Sequence, residues 1–384
     1  MSSTFTTYPK YAYAVVLAVL IPTLVLHWYA YGDGLILTDD SNHYLTSASS
    51  FHELKTLTNE EGHHFLFWPP LFPIVLSAFQ SPQQQLVWLH LMMVAVFSVF
   101  LFWIIRHSIR SFAVAVFCFI AVMMGVHILL ISTFLWSELL FLLLTTAFLY
   151  SLIKSPTNRF FYIIALIIGF LMCMQRNAGL FIAFGAALWL YVQNLHMKNS
   201  FLRASAFFFA IISGSLIWNS YIWGYLPHPH FSFSEPWFQH GMHNFTALCF
   251  GIINAFLPVK ALPSLLAPVS AFFIVWWLRR HIRQNSVIQL VFMVSMSYLL
   301  FFAMVLVVNV AGFKIDYGEG DRFVAVILPF LAILVFKTLE TIIGQQRRRR
   351  RLIFMVLLTI WMIYPLARAV KNANQWHRIT TVSP

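Results

Sequence analysis

Residues 11–29 read YAYAVVLAVLIPTLVLHWY, a run without one charged side chain. About 20 such residues carry a helix across a bilayer. Lys10 precedes the run, and bulky Trp28 and Tyr29 stand where a signal peptidase needs small residues. The run therefore reads as an uncleaved first membrane helix. Comparable runs recur at 86–105, 112–131, 135–153, 160–175, 177–194, 203–223, 263–279, 287–311, 323–343 and 352–367, with tight hairpins near 132–134 and 175–177. They predict an all-α integral membrane protein of about eleven transmembrane helices, one polytopic domain over 1–384.

Composition agrees. The chain is 60% hydrophobic and 9% charged, against about 25% charged in soluble domains. Its net charge of +12 does not indicate nucleic acid, because the basic residues sit in short clusters between apolar runs. Arg106 and Arg110, Lys154 and Arg159, Lys198 and Arg203, then Arg279, Arg280 and Arg283, and finally Arg347–Arg351 fall in alternate loops. The positive-inside rule makes that side cytoplasmic. The N-terminus is then inside and the C-terminus outside. Arg347–Arg351 can also contact anionic lipid headgroups. Cys118, Cys173 and Cys249 are scattered and suggest no disulfide framework.

Two outer loops are long, 30–85 and 224–262, a length usual for functional or disordered segments. The first opens on TDDSNHY at 38–44 and continues to WPPLFP at 68–73. Tyr44, Leu45, Ala48, Phe51 and Leu54 recur at helical spacing, with Asp39 or Asp40 placed to cap the helix. Leu71–Phe79 is apolar but too short to span. Both stretches read as helices lying in the membrane interface.

Candidate chemistry gathers on that outer side. Asp40 or Asp39 can accept a proton from a hydroxyl or amine nucleophile, and two adjacent acids can also bind a divalent cation. The plainer use is a helix cap and a solvated acid. Tyr44, four residues after Asp40, shares its helix face; it can touch a sugar, brace the base, or simply anchor the interface. Glu138, in Ser137-Glu138-Leu139, is an ionisable residue at the outer end of a span and a site candidate by default. It can bind acceptor or metal, or hydrogen-bond a neighbouring helix. Arg176 and Arg322 stand on the side where positive charge is disfavoured, and a guanidinium fork suits a phosphate. Alternatively Arg322 pairs with Asp321 or Glu319, and Arg176 snorkels to the interface. His43, His63, His64, His228, His230, His240 and His243 also lie on this side; His240 and His243 suit one zinc if they are helical. The chain carries no Gly-rich phosphate loop, HExxH or GxSxG.

The order of these pieces resembles the C-type (GT-C) membrane glycosyltransferases, with the nearest likeness to protein O-mannosyltransferases and bacterial aminoarabinose transferases. The residues that carry it are Asp40-Ser41-Asn42-His43-Tyr44, Pro69-Pro70-Leu71, Ser137-Glu138-Leu139-Leu140-Phe141, and Arg322 ahead of Leu328-Pro329. The close likeness covers about the first 140 residues. Many relatives carry Asp-Glu where this chain has Asp40-Ser41, and many add a soluble C-terminal domain, so acceptor capture by such a domain is not expected here. The resemblance implies a GT-C-like bundle, Asp40 as the base, and a donor sugar linked to a polyprenyl phosphate. It implies inverting transfer to an acceptor hydroxyl or amine on a lipid, glycan or protein. Asp39, Tyr44, Glu138, Arg176 and Arg322 would bind substrate, with Asp39, Asp40 and Glu138 available to a metal. The setting would be a bacterial inner membrane, with the site on its outer face. Two other readings stay open: a lipid-linked glycan polymerase or ligase that uses arginines and a second-loop histidine such as His240, and a non-enzymatic flippase or transporter of lipid-linked sugar.

Overall fold

Every run expected to span forms helix. The computed structural model describes residues 11–66, 68–79, 83–225, 237–257, 266–308 and 317–382. Seven helical segments among them are long and apolar enough to cross a membrane. They are α1 (Ala12–Tyr31), α4 (Gln83–Ser108), the joined pair α5 (Phe112–Met123) and α6 (Val126–Thr133), α10 (Ser200–Trp223), α13 (Ser286–Val308), α14 (Tyr317–Gly344) and α15 (Arg348–Val382). The other four expected spans fall on α7 (Glu138–Lys154), α8 (Arg159–Gln175), α9 (Gly179–Gln193) and α12 (Leu266–Gln284). Of these, α7 and α8 have 17 residues each, a rise of about 25 Å at 1.5 Å per residue. That is the lower end of the lengths that cross a hydrocarbon layer of about 30 Å. The expected residues 263–265 and 309–311 lie outside the described set, as do His228 and His230.

The long segment 30–85 carries α2 (Asp39–Leu54) and α3 (Leu71–Leu76), and the segment 224–262 carries α11 (Trp237–Phe256). Three details differ from the sequence expectation. The N-cap of α2 is Thr38, not either aspartate: the Thr38 N–H donates to Ser41 Oγ at 2.9 Å, a capping box with serine at the third position. The buried face of α2 is Ser41, Tyr44, Ser47 and Ala48, while Leu54 is exposed. The run 112–131 is broken at Met124-Gly125. A Cβ on Gly125 would come within 2.8 Å of the Ala121 carbonyl, so a side chain there would force the break between α5 and α6 to shift.

Helix α14 runs through the middle. It touches α4, α5, α6, α7, α11, α12, α13 and α15, and Val324, Ala325, Val326, Ile327, Leu328 and Phe330 are all buried. A helix apolar all round belongs inside. By contrast α1 and α15 expose Leu17, Ile21, Val25, Val356, Ile360 and Ile363, as lipid-facing helices do. Polar groups separate to the two ends. At one end Arg106 donates to the Tyr13 hydroxyl at 2.9 Å, Lys154 lies over the Trp103 ring, and Lys337 pairs with Glu340 at 2.5 Å. The other end holds the residues described next.

Candidate active site

Two backbone segments bring the site together. The chain entering α2 pairs in parallel with the link between α6 and α7: Ile36 N–H donates to Thr133 O and Leu135 N–H to Ile36 O, both at 3.0 Å. Ser41 Oγ donates to Leu135 O at 3.0 Å, and Trp136 Nε1 donates to Thr38 Oγ1 at 2.9 Å. These bonds fix the first turn of α2 beside the first turn of α7. Asp40 and Glu138, 98 residues apart in sequence, thereby face one guanidinium.

That guanidinium is Arg322. Its Nη2 lies 2.8 Å from Asp40 Oδ2, and its Nε donates to Glu138 Oε1. Its Cζ sits 4.2 Å from the centroid of the Trp136 ring, so an aromatic face sets the plane of the fork. Arg176, between α8 and α9, places Nη1 2.6 Å from the same Glu138 oxygen and 2.9 Å from Ser137 Oγ. Tyr44 donates its hydroxyl to Ser137 Oγ at 3.1 Å, and Gln175 Nε2 donates to Ser137 O at 2.9 Å. The side chain of Glu138 is 1% exposed and that of Arg322 11%, whereas that of Asp40 is 28% exposed. Asp40 is the carboxylate through which this network meets the surface.

Below it, Tyr44 is buried against Trp68 and Phe72, each at a ring-centroid distance of 5.0 Å. Pro70 is the N-cap of α3 and is buried with Pro69. The Trp-Pro-Pro-Leu stretch is thus a stiff wall for Tyr44. Burial pushes the Tyr44 phenol above its ordinary range, so it stays a donor. Its hydroxyl is spent on Ser137.

Five residues of this network were expected singly from sequence, and the structure brings these five, Asp40, Tyr44, Glu138, Arg176 and Arg322, together. It does not bring in Asp39, which is exposed on the far side of the first turn. Arg322 does not pair with Asp321. Neighbours on a helix diverge by about 100°, and Asp321 points away, 3.2 Å from His127 Nε2 and 3.0 Å from Arg368 Nη2.

No protein-family model matches the chain, and no curated protein matches it. Solved structures do. ArnT from Cupriavidus metallidurans in the apo state superposes with a TM-score of 0.59 at 11% identity, over 97% of this chain and 77% of that one. The same protein bound to undecaprenyl phosphate gives 0.60 at 14% identity, over 97% and 71%. The chain has the fold of ArnT.

Within this ArnT-like bundle, a metal is poorly served by the residues at hand. Among the described residues no three His, Cys, Asp or Glu side chains converge. Asp40 and Glu138 are held by guanidinium groups, so a divalent cation would have to displace Arg322. His240 and His243 do lie on a helix, α11, and among the described residues they form no group of three with another His, Cys, Asp or Glu. Sequence reasoning missed Ser137, Trp136, Thr38 and Gln175. Each sits in a loop or at a helix end, and its role depends on a distant partner. It also missed the second charged cluster around Asp321. There Arg368 Nη1 donates to Asn254 O at 2.7 Å and Tyr364 OH donates to the same carbonyl at 3.0 Å. The one available signal was His127, a polar residue set in an apolar run.

Proposed function

We propose that the chain is an inverting glycosyltransferase that moves a sugar from a polyprenyl-phosphate-linked donor to an acceptor hydroxyl or amine at the outer face of a membrane. One observation carries the reading: in a bundle with the fold of ArnT, a partly exposed carboxylate, Asp40, stands across from a guanidinium, Arg322, itself set among Glu138, Arg176 and Trp136. The likeness to a structure bound to undecaprenyl phosphate supports a lipid phosphate as the donor's carrier. Basic loops at the opposite end favour an orientation with the N-terminus cytoplasmic and the site outside.

The chemistry follows from charge. Asp40 takes the acceptor's proton as the acceptor attacks the anomeric carbon. The bond from that carbon to the phosphate oxygen breaks, and its electron pair stays on the lipid phosphate. Arg322, with Arg176 behind it, faces the growing negative charge. Glu138 keeps both guanidinium groups oriented and is too buried to serve as the base. The first experiment is lipid mass spectrometry of the purified protein. A co-purifying polyprenyl phosphate or its glycosylated form is expected. Its absence, together with undiminished transfer by Asp40→Asn in proteoliposomes, would refute the assignment.

A further inference from the structure

Resting on that reading, we propose that Asp40 and the donor's phosphate compete for Arg322. The Asp40–Arg322 pair is then a latch: the lipid phosphate opens it, and reclosure helps expel the product. The argument begins with Asp40 itself. Asp40 Oδ2 accepts from Arg322 Nη2 at 2.8 Å, so the carboxylate and an incoming phosphate would draw on the same guanidinium. The two ends of the Arg322 fork are held differently. Its Nε is tied to Glu138, a 1% exposed carboxylate that Arg176 also grips, and its plane is fixed by Trp136. That end is an anchor. Only the Nη2 end faces the more exposed carboxylate, so it is the end that can change partner without dismantling the site.

Charge gives the direction of exchange. Asp40, Glu138, Arg176 and Arg322 balance one another. An arriving phosphodiester adds negative charge and repels Asp40, while matching the guanidinium fork. When Arg322 turns to the phosphate, Asp40 Oδ2 is released beside the bound donor. The acceptor's O–H or N–H bond then breaks, its proton passes to Asp40, the acceptor–carbon bond forms, and the carbon–phosphate-oxygen bond breaks to leave a lipid monophosphate. Loss of the proton to water restores the Asp40 carboxylate, which recaptures Arg322 and displaces the product. Asp40 is thus paired with Arg322 until a donor is present.

The test is binding of undecaprenyl phosphate to the purified full chain in detergent. If Asp40 competes, Asp40→Asn binds about fivefold to tenfold more tightly than wild type, as expected for removing one partly exposed competing ion pair, while transfer is lost. If Asp40 merely steadies Arg322, the same variant binds equally or more weakly, and that result overturns the latch. Asp40→Ser is tested in parallel, with elution profile and thermal midpoint, so that a misfolded asparagine variant does not decide the matter. A second readout uses the wild type. Exchange of a carboxylate for a phosphate at Arg322 Nη2, on the guanidinium stacked over Trp136, predicts a tryptophan fluorescence change on adding undecaprenyl phosphate that Trp136→Phe largely removes; an identical change in that variant counts against the exchange. Failure of wild type to bind undecaprenyl phosphate at all overturns the functional reading itself. Binding without tighter capture by the Asp40 variants overturns only the latch.

Discussion

Asp321 and Arg322 are adjacent on α14, yet they serve two different clusters. Arg322 joins the first turns of α2 and α7 to the α8–α9 hairpin. Asp321 joins α6, through His127, to α15, through Arg368. Both clusters are polar, largely buried, and tied to the same end of the central helix. They differ in what they leave over. In the Asp321 cluster, the carboxylate is 16% exposed and is paired with both a histidine and an arginine, and that arginine also donates to the Asn254 carbonyl. In the Arg322 cluster, two carboxylates and two guanidinium groups meet, and one carboxylate opens outward. The first arrangement fastens helices. The second has a group free to exchange. A cluster's charge content therefore says less about function than which member reaches the surface.

The comparison can be broken at several points. The largest effect is expected at Asp40. Asp40→Asn should lower transfer about a thousandfold, in the range for loss of a general base, with the thermal midpoint close to wild type; a fall of only a fewfold would put both clusters in the same structural class. Next is Glu138→Gln, which leaves Arg176 and Arg322 facing each other with Asp40 as their remaining counter-charge. Loss of about 3–5 kcal/mol is expected, measured by denaturation in detergent together with transfer.

Arg368→Gln, the counterpart in the fastening cluster, should cost less, about 1–2 kcal/mol, because this pair is partly solvated. It should leave undecaprenyl phosphate affinity unchanged. A large loss of affinity there would erase the distinction between the clusters.

Tyr44→Phe should cost about 1 kcal/mol, the worth of one buried hydrogen bond. Burial raises the Tyr44 phenol above its ordinary value of 10.0. Its contribution to stability is therefore complete below about pH 10 and is lost as pH rises further. The phenylalanine variant should flatten that alkaline loss in a series of thermal midpoints. The smallest effect belongs to Asp39→Asn, expected to stay within about 0.5 kcal/mol as an exposed substitution and to retain transfer. Equal damage from the Asp39 and Asp40 variants would show that the first turn acts as a unit.

The sequence by itself determined the helical membrane class, because about 20 consecutive apolar residues have few other fates. It also marked Asp40, Glu138, Arg176 and Arg322, because ionisable groups at the ends of apolar helices are costly without a use. Tertiary structure decided how they meet. Thr38 caps α2 locally, through Ser41, but nothing local says that the Asp40 left over meets Arg322. Nothing local says which way Asp321 and Arg322 turn, since helix rotation is set by packing on every side of α14. The Ile36–Phe134 bridge and the Ser137 hub are long-range as well. Periodicity reports the face a residue occupies; only the assembled bundle reports what stands opposite.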